Sequence, residues 1–227
     1  MPTARAASLS PTIRLANEYD GEVYDARMEM PGWAASGFDD SAWLPAQRSA
    51  VPYGTLRAQT TPNMTCGESV SPLSVTPHGE RHIVDFGVNM AGWIALRPRG
   101  TEGDTIRIRF AERLNPDGTL YTANLRDARS EDIYICSGRE LGEVTWTPSF
   151  TYHGFRYAEV SGLPGMGPDD IRAIHVGDPM EMSMDFECSD TILNRVVLNA
   201  LRGIRANYKG MPVDCPQRNE RQPWLGD

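Results

Sequence analysis

Residues 105–110 read TIRIRF, and this stretch indicates what kind of fold the chain adopts. Its three apolar residues alternate with Arg107 and Arg109, which is the two-residue period of a strand with one buried and one solvent-exposed face. Similar runs lie on both sides of it, reading HIVDF, WIALR, DIYIC, RYAEV and IRAIHV. Turn-forming stretches such as NPDG at 115–118 and GLPG at 162–165 separate them. Six short strands separated by such turns predict a mainly β protein with an antiparallel β-sandwich.

The periodicity changes after residue 185. Ser189 or Asp190 can cap a helix there, and Lys209 and Gly210 can close it. An amphipathic helix of this length must bury its apolar stripe against the sandwich or against further helices. No further helix is predicted, so this segment looks like the first helix of a second, α-helical domain that these residues do not complete. The stripe consists of Ile192, Leu193, Val196, Val197, Ala200, Leu201 and Ile204.

The composition, with 40% hydrophobic and 23% charged residues, is that of an ordinary soluble globular protein. The net charge of -8 argues against nucleic acid as a partner, because phosphate binding needs a cationic face. Neither a signal peptide nor a membrane span is visible, which favours the cytoplasm and no membrane partner. The four cysteines are scattered without zinc-ligand spacing, so we expect free and mostly buried thiols.

Residues 1 to about 60 hold only short patterned pieces between Pro, Gly and Ser residues. Trp33, Phe38 and Trp43 are too many large aromatic residues for a free linker. We therefore expect this segment to pack on another part of the protein.

The most chemically varied segment, residues 213–227, reads VDCPQRNERQPWLGD. Carboxylates and arginines can hydrogen-bond sugar hydroxyls, and an indole can cover the apolar face of a sugar ring. A glycosidase also needs two carboxyl groups beside the scissile bond. On spacing alone, however, solvated ion pairs in a loop are the commoner outcome.

Other residues give weaker signals for chemistry. Cys215 has no histidine near it in sequence and is expected to be a structural thiol. His153, among aromatic residues, is expected to be a hydrogen-bonded core or edge histidine rather than a ligand. The NPDG stretch lacks the spaced acidic ligands of a calcium loop and is interpreted as a turn.

Several long segments, in this order, closely resemble the bacterial α-L-rhamnosidases of glycoside hydrolase family 78. They read VDFGVNMAGWIALRPRG at 84–100, IRFAERLNPDGTLYTANLR at 108–126, FTYHGFRYAEVSG at 150–162 and VDCPQRNERQPWLGD at 213–227. The earlier GEVYDARMEMPGWAASGFDDSAW at 21–43 is similar to the stretch that precedes the central β domain in that family.

This resemblance implies a fragment with three parts. Residues 1–64 would be the tail of an N-terminal β domain and its connector, residues 65–178 the central β-sandwich, and residues 179–227 the start of a truncated (α/α)6 catalytic domain. It also implies an inverting hydrolase of terminal α-L-rhamnosides in glycosides or polysaccharides, without a cofactor.

The resemblance assigns roles within the final segment. Glu220 matches the family's general acid, and Asp214, Arg218, Trp224 and Asp227 match positions that line the rhamnose subsite. The general base would be a second glutamate beyond residue 227, so the 227-residue chain alone is expected to be inactive. The commonest family form has an aspartate where Asn219 stands, and Leu-Gly in place of Gln-Pro at 222–223.

Two functions from other classes remain open. One is a non-catalytic carbohydrate-binding or structural β-sandwich module. The other is association through the apolar stripe at 192–204, if it is exposed. The sequence does not fix the oligomeric state.

Overall fold

The computed structural model describes residues 5–6, 12–46, 54–140 and 144–224, and strands make up most of the regular secondary structure in this part of the chain. Short 3-10 helices occupy Ala26–Met28, Ala123–Leu125 and Pro168–Asp170. The elements in chain order are β1 (Arg5–Ala6), β2 (Ile13–Asn17), β3 (Gly21–Asp25), β4 (Leu44–Pro45), β5 (Thr65–Val70), β6 (Ser74–His78), β7 (Arg81–Leu96), β8 (Thr105–Ala111), β9 (Arg113–Leu114), β10 (Leu120–Tyr121), β11 (Glu131–Ile135), β12 (His153–Ser161), β13 (Ile171–Gly177) and the helix α1 (Thr191–Asn207).

Nine strands form one curled sheet in the order β2-β3-β11-β8-β12-β7-β13-β5, with β6 also paired to β7. Two small ladders, β1 with β4 and β9 with β10, form separate two-stranded sheets. The prediction of a mainly β fold followed by a helix is confirmed. One pairing departs from the antiparallel pattern, because β3 runs parallel to β11.

Strand β7 organises the sheet because it changes partners along its length. The predicted strands HIVDF and WIALR are both parts of this single 16-residue strand. Its first half pairs with β6, its second half pairs with β13, and β12 follows its other edge. This change of partner lets one continuous sheet curl around its core.

The core lies on one face of the sheet, as the alternation in residues 105–110 predicts. Ile106, Ile108 and Phe110 are at most 1% exposed. They pack in one cluster with apolar side chains from β7, β12 and β13, including Ile94 and Phe155. Burial of such side chains is the main stabilising contribution to a fold of this kind.

The N-terminal segment contributes to the main sheet rather than packing as a separate unit. Strands β2 and β3 pair with each other and extend the sheet beside β11. Beyond them, Trp33 is 62% exposed, whereas the rings of Phe38 and Trp43 lie 5.6 Å apart. The three-part division at 64 and 178 remains a prediction.

Helix α1 begins where the sequence predicts. The Asp190 carboxylate caps it by accepting hydrogen bonds from the backbone N–H groups of Ile192 and Leu193. The helix contacts β7 and β13, but none of its residues is buried. Much of the apolar stripe faces solvent, since Ile192, Leu193, Val196 and Ile204 are each at least 46% exposed. Among the described residues, no helix has the length and apolarity to cross a membrane.

Candidate active site

The loop that follows α1 is closed by its own backbone and packs on the sheet. The Asp214 N–H donates to the Gln222 carbonyl (3.0 Å), and the Gln222 N–H donates to the Asp214 carboxylate (2.9 Å). Pro216 and Gln217 lie against Gly154 at the start of β12, where even a Cβ atom would be crowded, 2.8 Å from the Pro216 ring. The loop is thereby fixed at one end of β12.

Three of the predicted site residues meet in this loop. Arg218 Nη2 lies 3.1 Å from Asp214 Oδ2 and 2.9 Å from Glu220 Oε2. The Asp214 side chain is 5% exposed, whereas the Glu220 side chain is 26% exposed and open to a ligand. Burial alone would raise the pKa of Asp214, but hydrogen bonds from Cys215, Gln222 and Arg218 outweigh it and lower that pKa. Asp214 is therefore a fixed anionic acceptor.

Arg126 completes the cluster and was not singled out from the sequence. Its Nη1 lies 2.7 Å from Glu220 Oε2, so two guanidinium groups hold the same carboxylate oxygen. Arg126 follows the 3-10 helix Ala123–Leu125 and has a left-handed backbone, with φ of 57°. The only signal for it was its place at the end of the segment 108–126.

The backbone around Glu220 is held from two sides. The Tyr19 hydroxyl donates to the Glu220 carbonyl (3.2 Å). Next in the chain, Arg221 is 5% exposed and lies over the rings of Tyr19 and Tyr152, at 5.6 Å and 4.8 Å from their centroids. It donates to the carbonyls of Tyr152 (2.9 Å) and Arg218 (3.1 Å) and has a left-handed φ of 51°.

The remaining predicted site residues are less tightly placed. Trp224 is 53% exposed. Asp227 lies outside the described residues. The Asn219 amide donates to Asp127 (3.2 Å), a contact that an aspartate at 219 would replace with two facing carboxylates.

Cys215 and His153 are both buried and hydrogen-bonded, as expected of structural residues. Cys215 is buried, its thiol donates to Asp214 (3.1 Å), and burial raises the pKa of this thiol. His153 is fully buried, with Nε2 3.0 Å from Asp132 and its ring stacked on Phe110. All four cysteines are free, although only two are buried and Cys66 is exposed.

Three family models match successive parts of the chain. Residues 5–68 match the α-L-rhamnosidase N-terminal domain, residues 76–177 the bacterial α-L-rhamnosidase concanavalin-like domain, and residues 181–227 the bacterial α-L-rhamnosidase 6 hairpin glycosidase domain. The candidate active-site loop lies in the last of these.

Relatives and solved structures agree with these matches. An α-L-rhamnosidase of Streptomyces avermitilis is 42% identical over 100% of this chain and 22% of its own length, and one of Formosa agariphila is 36% identical over 99% and 24%. The crystal structure of a Streptomyces avermitilis α-L-rhamnosidase complexed with L-rhamnose superposes with a TM-score of 0.91 at 40% identity, covering 98% of this chain and 22% of that one. The α-L-rhamnosidase structure from Dictyoglumus thermophilum gives 0.90 at 38% identity, covering 95% and 24%.

The chain thus spans less than a quarter of the length of these relatives. Within that span the order of the three matched domains, the fold and the sequence all agree, and the chain belongs to the bacterial α-L-rhamnosidase family.

Proposed function

We propose that this chain is the part of an inverting α-L-rhamnosidase that supplies the general acid, Glu220, and one side of the rhamnose subsite. The substrates are terminal α-L-rhamnosides in glycosides or polysaccharides, and the reaction uses no cofactor. The observation that carries the proposal is the cluster in which Arg218 joins the buried Asp214 to the accessible Glu220.

We assign proton donation at the glycosidic bond to Glu220, whose carboxyl group is partly exposed and is held in place by Arg126 and Arg218. As the bond between the anomeric carbon and the glycosidic oxygen breaks, the proton of Glu220 passes to that oxygen. The carboxylate left behind then lies beside Arg126 and Arg218, whose charges stabilise it.

In an inverting enzyme a second carboxylate takes the proton of the water that attacks from the opposite face. The two carboxyl groups stand roughly 6.5–9.5 Å apart to admit that water. We expect this base beyond residue 227, and we therefore expect the 227-residue chain alone not to hydrolyse rhamnosides.

The rest of the loop fits the recognition of a neutral sugar. Asp214 offers a fixed acceptor, and Arg218 offers donors to hydroxyl groups. The half-exposed indole of Trp224 can cover the apolar face of a ring. We assign Asp227 to the same subsite on the resemblance alone.

The test uses the longest natural polypeptide that contains this chain, with a rhamnosyl-glucose disaccharide as substrate. Glu220→Gln should lower kcat by about 10²- to 10⁴-fold, the usual contribution of a general acid. The matched control is Glu80→Gln, which changes an exposed carboxylate in the turn between β6 and β7 and should leave kcat unchanged.

NMR of the first product tests the stereochemistry, which should be the β-anomer of L-rhamnose. Release of the α-anomer would exclude inversion. Equal activity of the two variants would exclude Glu220 as the acid.

A further inference from the structure

A cavity of about 480 Å³ rich in arginine opens on the sheet face opposite the core. Arg107 and Arg109 reach it from β8, where they alternate with the buried isoleucines. Only two carboxylates share this cavity, although the chain as a whole is acidic. The five arginines are Arg81, Arg107, Arg109, Arg126 and Arg129. This local excess of positive charge makes the cavity a candidate site for an anion.

Glu159 fixes two of these arginines. It is 5% exposed, and one of its oxygens lies 3.1 Å from Arg81 and 3.7 Å from Arg109. The arginine side chains themselves are 54% and 38% exposed. Because a guanidinium group has five N–H donors, each keeps donors for a ligand after contacting the carboxylate.

Glu131 holds a second pair in the same way. One of its oxygens lies 2.6 Å from Arg107 and 2.9 Å from Arg129, and both arginines are more than 40% exposed. The carboxylates of Glu131 and Glu159 are buried, and the guanidinium groups that contact them are exposed at the surface of the cavity. The cavity is therefore ordered before a ligand arrives, which lowers the entropic cost of binding.

The remaining wall suits a sugar rather than an inorganic ion. Thr122 and Ser161 add partly exposed hydroxyl groups, and Leu125 and Ala128 lie buried behind them. Arginine forks recognise carboxylate or sulfate groups, while hydroxyl groups can hydrogen-bond the sugar ring that carries them.

The cavity also adjoins the proposed acid. Arg126 lines it and contacts Glu220, while Arg218 connects the same carboxylate to Asp214. A general acid protonates the oxygen between two sugars, so groups on either side of it contact different sugar units. With Asp214 and Arg218 on the rhamnose side, the cavity lies on the side of the leaving sugar.

We propose that this arginine cavity binds the leaving sugar and that this sugar is anionic, so that the substrates are α-L-rhamnosides of a uronic acid or of a sulfated sugar. This inference rests on the proposed function.

Binding is measured first, by calorimetry on the longest natural polypeptide that contains the chain. The ligands are methyl β-D-glucuronide, the 6-sulfate of methyl β-D-glucoside, and neutral methyl β-D-glucoside. The test variant is Arg109→Gln with Arg129→Gln, which leaves the closer partners Arg81 and Arg107 on the buried carboxylates. The control variant is Arg139→Gln with Arg172→Gln, which makes the same charge change at two exposed positions outside the cavity.

The glucuronide should bind more tightly than the glucoside, and the test variant should weaken it roughly tenfold, as expected for lost charge-assisted hydrogen bonds. The control should bind as the unchanged protein does. Binding of the sulfated sugar with equal affinity would support the site with either anion, and binding of the glucuronide alone would assign it to carboxylates. A glucuronide no tighter than the glucoside, or an equal loss in both variants, would overturn the proposal.

Measurements of hydrolysis distinguish a failure of this proposal from a failure of the proposed function. The ratio of kcat/KM for rhamnosyl-glucuronate to that for rhamnosyl-glucose should fall roughly tenfold in the test variant and should stay constant in the control variant. Tight glucuronide binding without any rhamnoside hydrolysis would contradict the catalytic function and support the cavity. Equal hydrolysis of both disaccharides without glucuronide binding would contradict the cavity and leave the catalytic function standing.

Discussion

At the scale of single residues, Arg221 is a buried cation next in the chain to the candidate acid, Glu220. It contacts backbone carbonyls and tyrosine rings, and no carboxylate pairs with it among the residues that the structure describes. A left-handed φ at a non-glycine residue is retained only where the surroundings enforce it. We infer that Arg221 is a positioning residue that fixes the backbone of Glu220.

Arg221→Lys tests this role, because lysine keeps the charge but lacks the planar fork. In the longest natural polypeptide we expect kcat to fall by about 10²-fold with KM little changed, as when a catalytic group is displaced by about 1 Å. Thermal unfolding of the variant serves as the folding control. A raised KM with an unchanged kcat would show that Arg221 acts on substrate binding instead.

Lys209 makes stability depend on pH. Its ammonium group donates to the Val176 carbonyl and lies over the ring of Tyr152. Burial lowers the pKa of Lys209 to about 8, although nearby Asp178 acts in the opposite direction. Between pH 8 and the normal lysine value of about 10.4, the unfolded chain holds a proton that the folded chain has lost. Stability from this group therefore rises with pH across that window.

The measurement is the free energy of unfolding of the chain and of Lys209→Met, by urea titration at several pH values. The free energy of unfolding of the unchanged chain, relative to that of Lys209→Met, should rise by about 1–3 kcal/mol from pH 7.5 to pH 10. Use of the variant as reference cancels all other titrating groups. A difference that stays constant or shifts the other way would contradict the lowered pKa.

Residues close in sequence could be predicted to form the site, whereas distant ones could not. Asp214, Arg218 and Glu220 lie within one loop, so a single segment contained all three candidates, and the family resemblance gave them their roles. Arg126 is 94 residues from Glu220, and Tyr19 is 201 residues away. Their contacts depend on the fold of the whole sheet, so the spacing of residues within one segment could not predict them.

At the scale of elements, Gly92 is where β7 pairs with β12 and β13 at once, opposite His153 and His175. A Cβ atom at this position would overlap the Ile174 carbonyl oxygen of β13. Gly92→Ala should therefore force the strands apart and destabilise the chain by about 2–4 kcal/mol.

Gly203→Ala is the matched comparison, because Gly203 lies in exposed α1 with nothing near its Cβ position. This change should stabilise the chain by about 0.5–1 kcal/mol, since alanine is the better helix former. Urea unfolding of both variants measures the pair. Equal effects at the two positions would contradict the close approach of β7 and β13.

The hydrophobic period and the turn-forming residues predicted which segments are strands or helices. They did not predict which strands are continuous or which strands pair. HIVDF and WIALR look like two strands because glycines at 87 and 92 lie between their apolar runs, yet β7 continues through both positions. The parallel pairing of β3 with β11 joins residues more than 100 apart, so no local pattern contains it.

At the scale of the whole molecule, the sheet packs around a hydrophobic core, whereas the apolar face of α1 is not buried. The helix contributes no buried residue, and most of its apolar stripe is exposed. On the proposed function, we expect further helices to cover this stripe in the longest natural polypeptide. The candidate acid lies in the loop directly after this helix, so the same helices would enclose it.

The measurement that tests the central claim most directly is the dependence of the Glu220→Gln defect on the leaving group. A general acid matters most when the leaving oxygen is basic and least when it departs without a proton. For α-L-rhamnosides of glucose, 4-nitrophenol and 2,4-dinitrophenol, the loss in kcat/KM should shrink in that order and nearly vanish for the last. An equal loss for all three substrates, or no loss for the glucose disaccharide, would contradict the assignment of Glu220 as the acid.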